Sequence, residues 1–130
     1  MINYSVMRGD IVIFDFGTNN GNVQGGVRPA VALQSNAQSP VTIIAPLTTE
    51  LKKPQMSAHV ILGKRFGLRE SSMVLLEQLT TVNKSSLGPY IGHIDDPQVM
   101  RRIDLGLCKT LGIQSGACPS DDSSSEEVPV

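Results

Sequence analysis

Tryptophan is absent from this 130-residue chain and only 4% of its residues are aromatic, so any core must be built from aliphatic side chains. No stretch approaches the ~18–20 consecutive apolar residues that a membrane-spanning helix needs. The first twenty residues lack the basic start and apolar run of an export signal, which implies a soluble protein that stays in the cytoplasm. Two cysteines, Cys108 and Cys118, are too few for a disulfide framework or a metal quartet, and both read as reduced thiols. His59 and His93 stand far apart, and no H-x-x-x-H, C-x-x-C or clustered-carboxylate spacing occurs. There is no Gly-x-Ser-x-Gly and no phosphate loop ending in Gly-Lys-Ser/Thr, so neither a metal nor a cofactor is expected. The length fits one domain and excludes a multidomain enzyme.

What is present is 40% hydrophobic, mostly Val, Ile and Leu, punctuated by 12 Gly and 8 Pro. The net charge of −1 hides an asymmetry: all eleven Lys and Arg lie between Arg8 and Lys109, whereas Asp121, Asp122, Glu126 and Glu127 make the end acidic. The body is therefore mildly basic, which attracts phosphates without by itself identifying a nucleic-acid partner.

Residues 1–7 show no periodicity and read as a loose leader. Ile11 to Phe16 alternate as a strand, and a ten-residue loop rich in Gly and Asn, Gly17 to Gly26, follows. Val27–Gln34, Val41–Leu47, His59–Leu62 and Met73–Leu76 read as further strands, with a short one at Tyr90–His93. The period then changes. Asp95 or Asp96 can cap a helix that has Pro97 in its first turn, Val99, Ile103, Leu107 and Leu111 on one face, and Gly112 as its stop. Gly106 inside that helix points to close packing. Residues 114–130 lack any apolar period and read as a disordered acidic tail. Short strands followed by one amphipathic helix predict a mainly β fold with α additions, a small barrel or curved sheet with the helix packed on it, over residues 1–113.

One segment stands out for chemistry. Gln24-Gly25-Gly26-Val27-Arg28-Pro29 puts a single Arg where a Gly-rich loop enters a strand, and such a loop with a guanidinium suits an anion. An ordinary turn followed by a surface Arg has the same pattern.

Five motifs in order carry a resemblance: Arg8-Gly9-Asp10-Ile11-Val12, the Gln24–Pro29 segment, Ile43-Ile44-Ala45-Pro46-Leu47-Thr48, His59-Val60 and Leu75-Leu76-Glu77-Gln78-Leu79. From about Arg8 to Gly112 the chain resembles the MazF/PemK toxins. The resemblance implies an SH3-like barrel with a C-terminal helix, a homodimer, and a metal-free, sequence-selective endoribonuclease paired with an antitoxin. It implies that Arg28 and Thr48 match the catalytic Arg and Thr, and that the RNA's own 2′-hydroxyl attacks the adjacent phosphate to leave a 2′,3′-cyclic phosphate and a 5′-hydroxyl. Single-stranded RNA is then the substrate and deoxyribose is inert.

Beside that expectation, Arg28 suits charge stabilisation better than proton abstraction, because a guanidinium pKa lies above ~12. His59 is the motif-matched side chain whose intrinsic chemistry suits proton exchange, and a hydrogen-bonded structural role competes with that reading. Glu77 and Gln78, read as strand neighbours, would face opposite ways, with Gln78 the better base reader. Lys52 and Lys53 are candidates for the RNA backbone. The positions matching a Gly-Ser-Glu-Gln loop read Gly21-Asn22-Val23-Gln24, which makes Asn22 and Gln24 RNA-binding candidates, and Thr80 stands where the family has Arg. Two other readings share the fold: a non-enzymatic toxin that grips a protein such as gyrase, and an inactive relative that only binds antitoxin. The acidic tail has the composition of an antitoxin segment and is a candidate shield for the chain's own groove.

Overall fold

A computed structural model describes residues 5–18, 21, 24–35, 37–51, 56 and 58–113. Among the described residues seven strands and one long helix follow in order: β1 Asp10–Asp15, β2 Val27–Ala32, β3 Val41–Thr48, β4 His59–Gly63, β5 Ser72–Leu75, β6 Thr80–Asn83, β7 Tyr90–His93 and α1 Pro97–Leu111. Short 3-10 turns occupy Leu76–Gln78 and Lys84–Ser86. All pairings are antiparallel, in the order β4-β5-β3-β2-β1-β7, with β6 also on β3. This is the mainly β, curled sheet with a C-terminal helix that the pattern predicts.

The eight-residue β3 organises the sheet. One edge pairs with β2 through Ile44–Pro46; the other pairs with β6 through Val41–Ile44 and then with β5 through Leu47–Thr48. Pro46 lies in the gap between those two partners. Leu33 N–H donates to the Ile43 carbonyl, so Ala45 exchanges bonds with β2 while the Pro46 nitrogen turns toward the gap, where its missing N–H costs no ladder bond.

Alternation along the strands divides the core in two. Ile11, Val31, Ala45, Leu47 and Val74 face α1 and pack with Val99 and Ile103. Val12, Ala30, Ala32 and Ile44 face the opposite way and pack with Val6 and Leu87, with Phe14, Phe16 and Val82 at the margin. Val6, inside the stretch read as a loose leader, is buried, because this second face needs a cover at that end.

The helix ends where the sequence places them. Asp96 caps it by accepting the Gln98 N–H, Pro97 occupies its first turn, and Gly112 closes it in the left-handed region at φ 72°, a conformation that costs glycine little. Gly106 is buried. Two differences have physical causes. β6 was not foreseen, because Thr80–Asn83 contains one aliphatic side chain and takes its strand form from pairing with Val41–Ile44. Cys108 is disulfide-bonded, which corrects the reading of it as a reduced thiol; the chain's other cysteine, Cys118, and the tail 114–130 lie outside the described residues. No helix among the described residues is long and apolar enough to cross a membrane.

Candidate active site

Arg28 and Thr48 share the sheet face opposite the helix. Both stand an even number of residues from Ala30 and Ile44, which define that face. Ala30 pairs with Pro46, and continuing this register by two residues sets Arg28 across from Thr48. By the same alternation that pair is of the non-hydrogen-bonded kind, in which opposing side chains stand closest.

The Arg28 guanidinium is held by two carbonyls. Nε donates to Gly25 O at 2.9 Å and Nη1 to Leu47 O at 3.3 Å. The second bond ties it to the peptide unit that leads into Thr48. The Gly25 bond shows why the loop ends as it does, with Gly26 in the left-handed region at φ 80° bending the chain back so that a carbonyl faces Nε. Thr48 is 6% exposed, and its Oγ1 accepts the Glu50 N–H at 3.0 Å. Accepting that bond leaves the hydroxyl proton to donate. A fixed cation and a hydroxyl donor therefore meet at the end of β3.

An open cavity of about 530 Å³ lies on the same face, lined by Phe14, Phe16, Thr18, Gln24, Pro46, Glu77, Gln78, Thr80 and Val82 among others. It exploits the gap beside Pro46, which the Leu76–Gln78 turn fills in place of a strand. Gln24 N–H donates to Gln78 Oε1 at 2.7 Å, so two of the candidate RNA-binding residues, 54 positions apart, meet. Glu77 and Gln78 were read as strand neighbours facing opposite ways; they occupy a 3-10 turn and both line this cavity.

His59 opens β4, and its Nε2 lies 2.8 Å from Glu77 Oε2, with its side chain 8% exposed. It does not line the cavity itself and reaches its rim through Glu77. Asn22, Lys52 and Lys53 lie outside the described residues. Reading the sequence missed Phe14 and Phe16 as site residues, although two aromatics two positions apart in so aromatic-poor a chain were a usable signal. Among the described residues no three His, Cys, Asp or Glu gather as metal ligands would.

Comparison with known proteins agrees with this fold. The family described as PemK-like, MazF-like toxin of type II toxin–antitoxin system matches residues 7–111. Endoribonuclease EndoA of Bacillus subtilis strain 168 is 38% identical over 112 residues, spanning 83% of this chain and 96% of that protein. Among solved structures, MazF from Deinococcus radiodurans superposes with a TM-score of 0.72 at 23% identity, covering 85% of this chain and all of the other. A mycobacterial endoribonuclease solved in complex with its cognate antitoxin gives 0.69 at 24%, covering 83% of this chain and 96% of the other.

Proposed function

Because the chain belongs to the PemK-like, MazF-like toxins of type II toxin–antitoxin systems, we propose that it is an endoribonuclease that cleaves single-stranded RNA by attack of the substrate's 2′-hydroxyl. The observation that carries this reading is the bond from Arg28 to the carbonyl preceding Thr48, which fixes a cation beside a hydroxyl donor. As the 2′-oxygen attacks, charge builds on the non-bridging phosphoryl oxygens, and donors already aimed there lower the barrier without reorganising. The P–O5′ bond breaks, the leaving oxygen takes a proton, and a 2′,3′-cyclic phosphate remains.

Arg28 supplies charge and Thr48 one hydrogen bond. Gln24 and Gln78 read base edges, and Lys52, Lys53 and Asn22 extend the contact along the strand. His59, fixed by Glu77, is the proton-exchanging group at the rim. None of these roles needs a metal or a cofactor. One structural relative was solved with its cognate antitoxin, and an acidic antitoxin segment laid over the basic body, on a homodimer, fits the charge asymmetry. We place the protein in the cytoplasm, with its RNA.

Incubation of the purified protein with a long RNA in EDTA tests the reading. Fragments ending in 2′,3′-cyclic phosphate that vanish with Arg28→Ala support it. Intact RNA accompanied by gyrase inhibition overturns it in favour of a protein-binding toxin, and a requirement for added divalent metal overturns the metal-free mechanism.

A further inference from the structure

The groove face carries two aromatic rings that the phosphate chemistry does not use. Phe14 lies on β1 and Phe16 just past its end, two residues apart, and both pack at the margin of the same core cluster. Their ring centroids are 4.8 Å apart at an interplanar angle of 73°, an edge-to-face contact that leaves the flat face of a ring open to another partner. Both are only partly buried. The chain has three Phe and no Trp, so two of its few large rings are spent here at the margin of a core that aliphatic residues fill elsewhere.

Their position is specific. Phe14 is the direct cross-strand partner of Arg28, about 5 Å away at Cβ for such a pair. Both rings wall the cavity that also takes in Pro46, two residues before Thr48, and the polar side chains of Gln24 and Gln78. A cation that holds a phosphate, a flat apolar wall one strand over, and amide groups at the edge of the same cavity match the three parts of a nucleotide.

We propose that Phe14, braced by Phe16, is the platform on which the nucleobase next to the scissile phosphate stacks. This rests on the ribonuclease reading of Arg28 and Thr48. Every base has a π-face, so stacking supplies affinity with little sequence preference. Discrimination falls to Gln24 and Gln78, which meet the base edge. A side chain of a protein partner is the competing occupant of the wall, and Phe14's pairing with Arg28 favours the base.

The test uses an RNA oligonucleotide with one deoxyribose at the mapped cut site, so that it binds without being cleaved. An abasic nucleotide is then placed at each flanking position in turn, and affinity is measured for wild type, Phe14→Leu and Phe14→Tyr. We expect Phe14→Leu to bind about 5- to 150-fold more weakly and Phe14→Tyr, which keeps the ring, to bind as wild type does. One abasic position should weaken wild type by a similar factor and add nothing to Phe14→Leu, the non-additivity that marks a direct contact. Additive losses at every position overturn the proposal, as does wild-type RNA affinity in Phe14→Leu. Weakened binding of an acidic antitoxin peptide without loss of RNA affinity assigns the wall to a protein partner and overturns it too. A wild-type protein that cleaves RNA while Phe14 couples to no base refutes the platform alone; one that neither cleaves nor binds RNA refutes the ribonuclease reading with it.

Discussion

The two faces of the sheet are made from the same strands and differ in almost everything else. The buried residues of the helix-covered face are aliphatic, with Ile11, Val31, Val74 and Ile103 fully buried and Phe66 packed at the margin. The opposite face is closed at one end by Val6 and Leu87 and opens at the other into the cavity walled by Phe14, Phe16 and Pro46; Arg28 and Thr48 lie on this face beside the cavity, not in its lining. Leu47 and Thr48 show the division at its sharpest: adjacent in β3, both buried, the first faces the helix and the second, by alternation, the opposite face. A period of two lets one strand serve stability and chemistry at alternate residues. Residues on one face should therefore move folding, and residues on the other should move cleavage.

The largest expected effect is that of Arg28→Ala, which should lower single-turnover cleavage by about 10²–10³, or ~3–4 kcal/mol of transition-state stabilisation. Its melting temperature should stay near wild type, since the side chain's two bonds run to carbonyls at the margin of the site. A variant that unfolds instead would show that the faces are not separable. Leu47→Ala is the mirror case. It should cost roughly 3 kcal/mol in denaturant unfolding while leaving the cleavage rate of the folded fraction close to wild type. Thr48→Val falls between them: loss of the hydroxyl should slow cleavage about a hundredfold, and loss of the bond from Glu50 N–H should cost about 1 kcal/mol of stability. Thr48→Ser should retain most of both. A Thr48→Val protein as active as wild type would remove the hydroxyl from the mechanism.

How much of this was legible depends on how local each cause is. β1, β3 and α1 could be read because β-branched runs, a capping Asp, an early Pro and a closing Gly act within a few residues. β6 could not, because its form is imposed by β3. Arg28 was conspicuous beside its glycines, but only the register of β2 on β3 brings it to Thr48, and no spacing in the sequence encodes register. The same holds for Gln24 and Gln78, whose bond joins a loop to a turn 54 positions away in the chain, and for His59 with Glu77. Glu77 was set on the face away from Gln78 because Leu76–Gln78 looks like the continuation of an aliphatic strand. It turns instead because β3 offers no strand partner beside Pro46.

The smallest effect expected separates the faces by acid. Asp96, at the start of the helix, has its carboxyl held below the usual carboxylate range, first by the hydrogen bond from Arg65 and then by the Gln98 N–H. A carboxyl depressed in the folded state adds stability that is present above its unfolded value of ~3.9 and is lost as pH falls through the lower folded value. Asp96→Asn keeps a capping oxygen and removes only the charge. Wild type should therefore melt slightly above Asp96→Asn at neutral pH, and the gap should close as pH is taken below the carboxylate range. A gap that persists in strong acid would assign the effect to packing instead of charge. Cleavage at neutral pH should be the same in both proteins, because Asp96 tethers the helix on the face that α1 covers, and the groove lies on the other side of the strands.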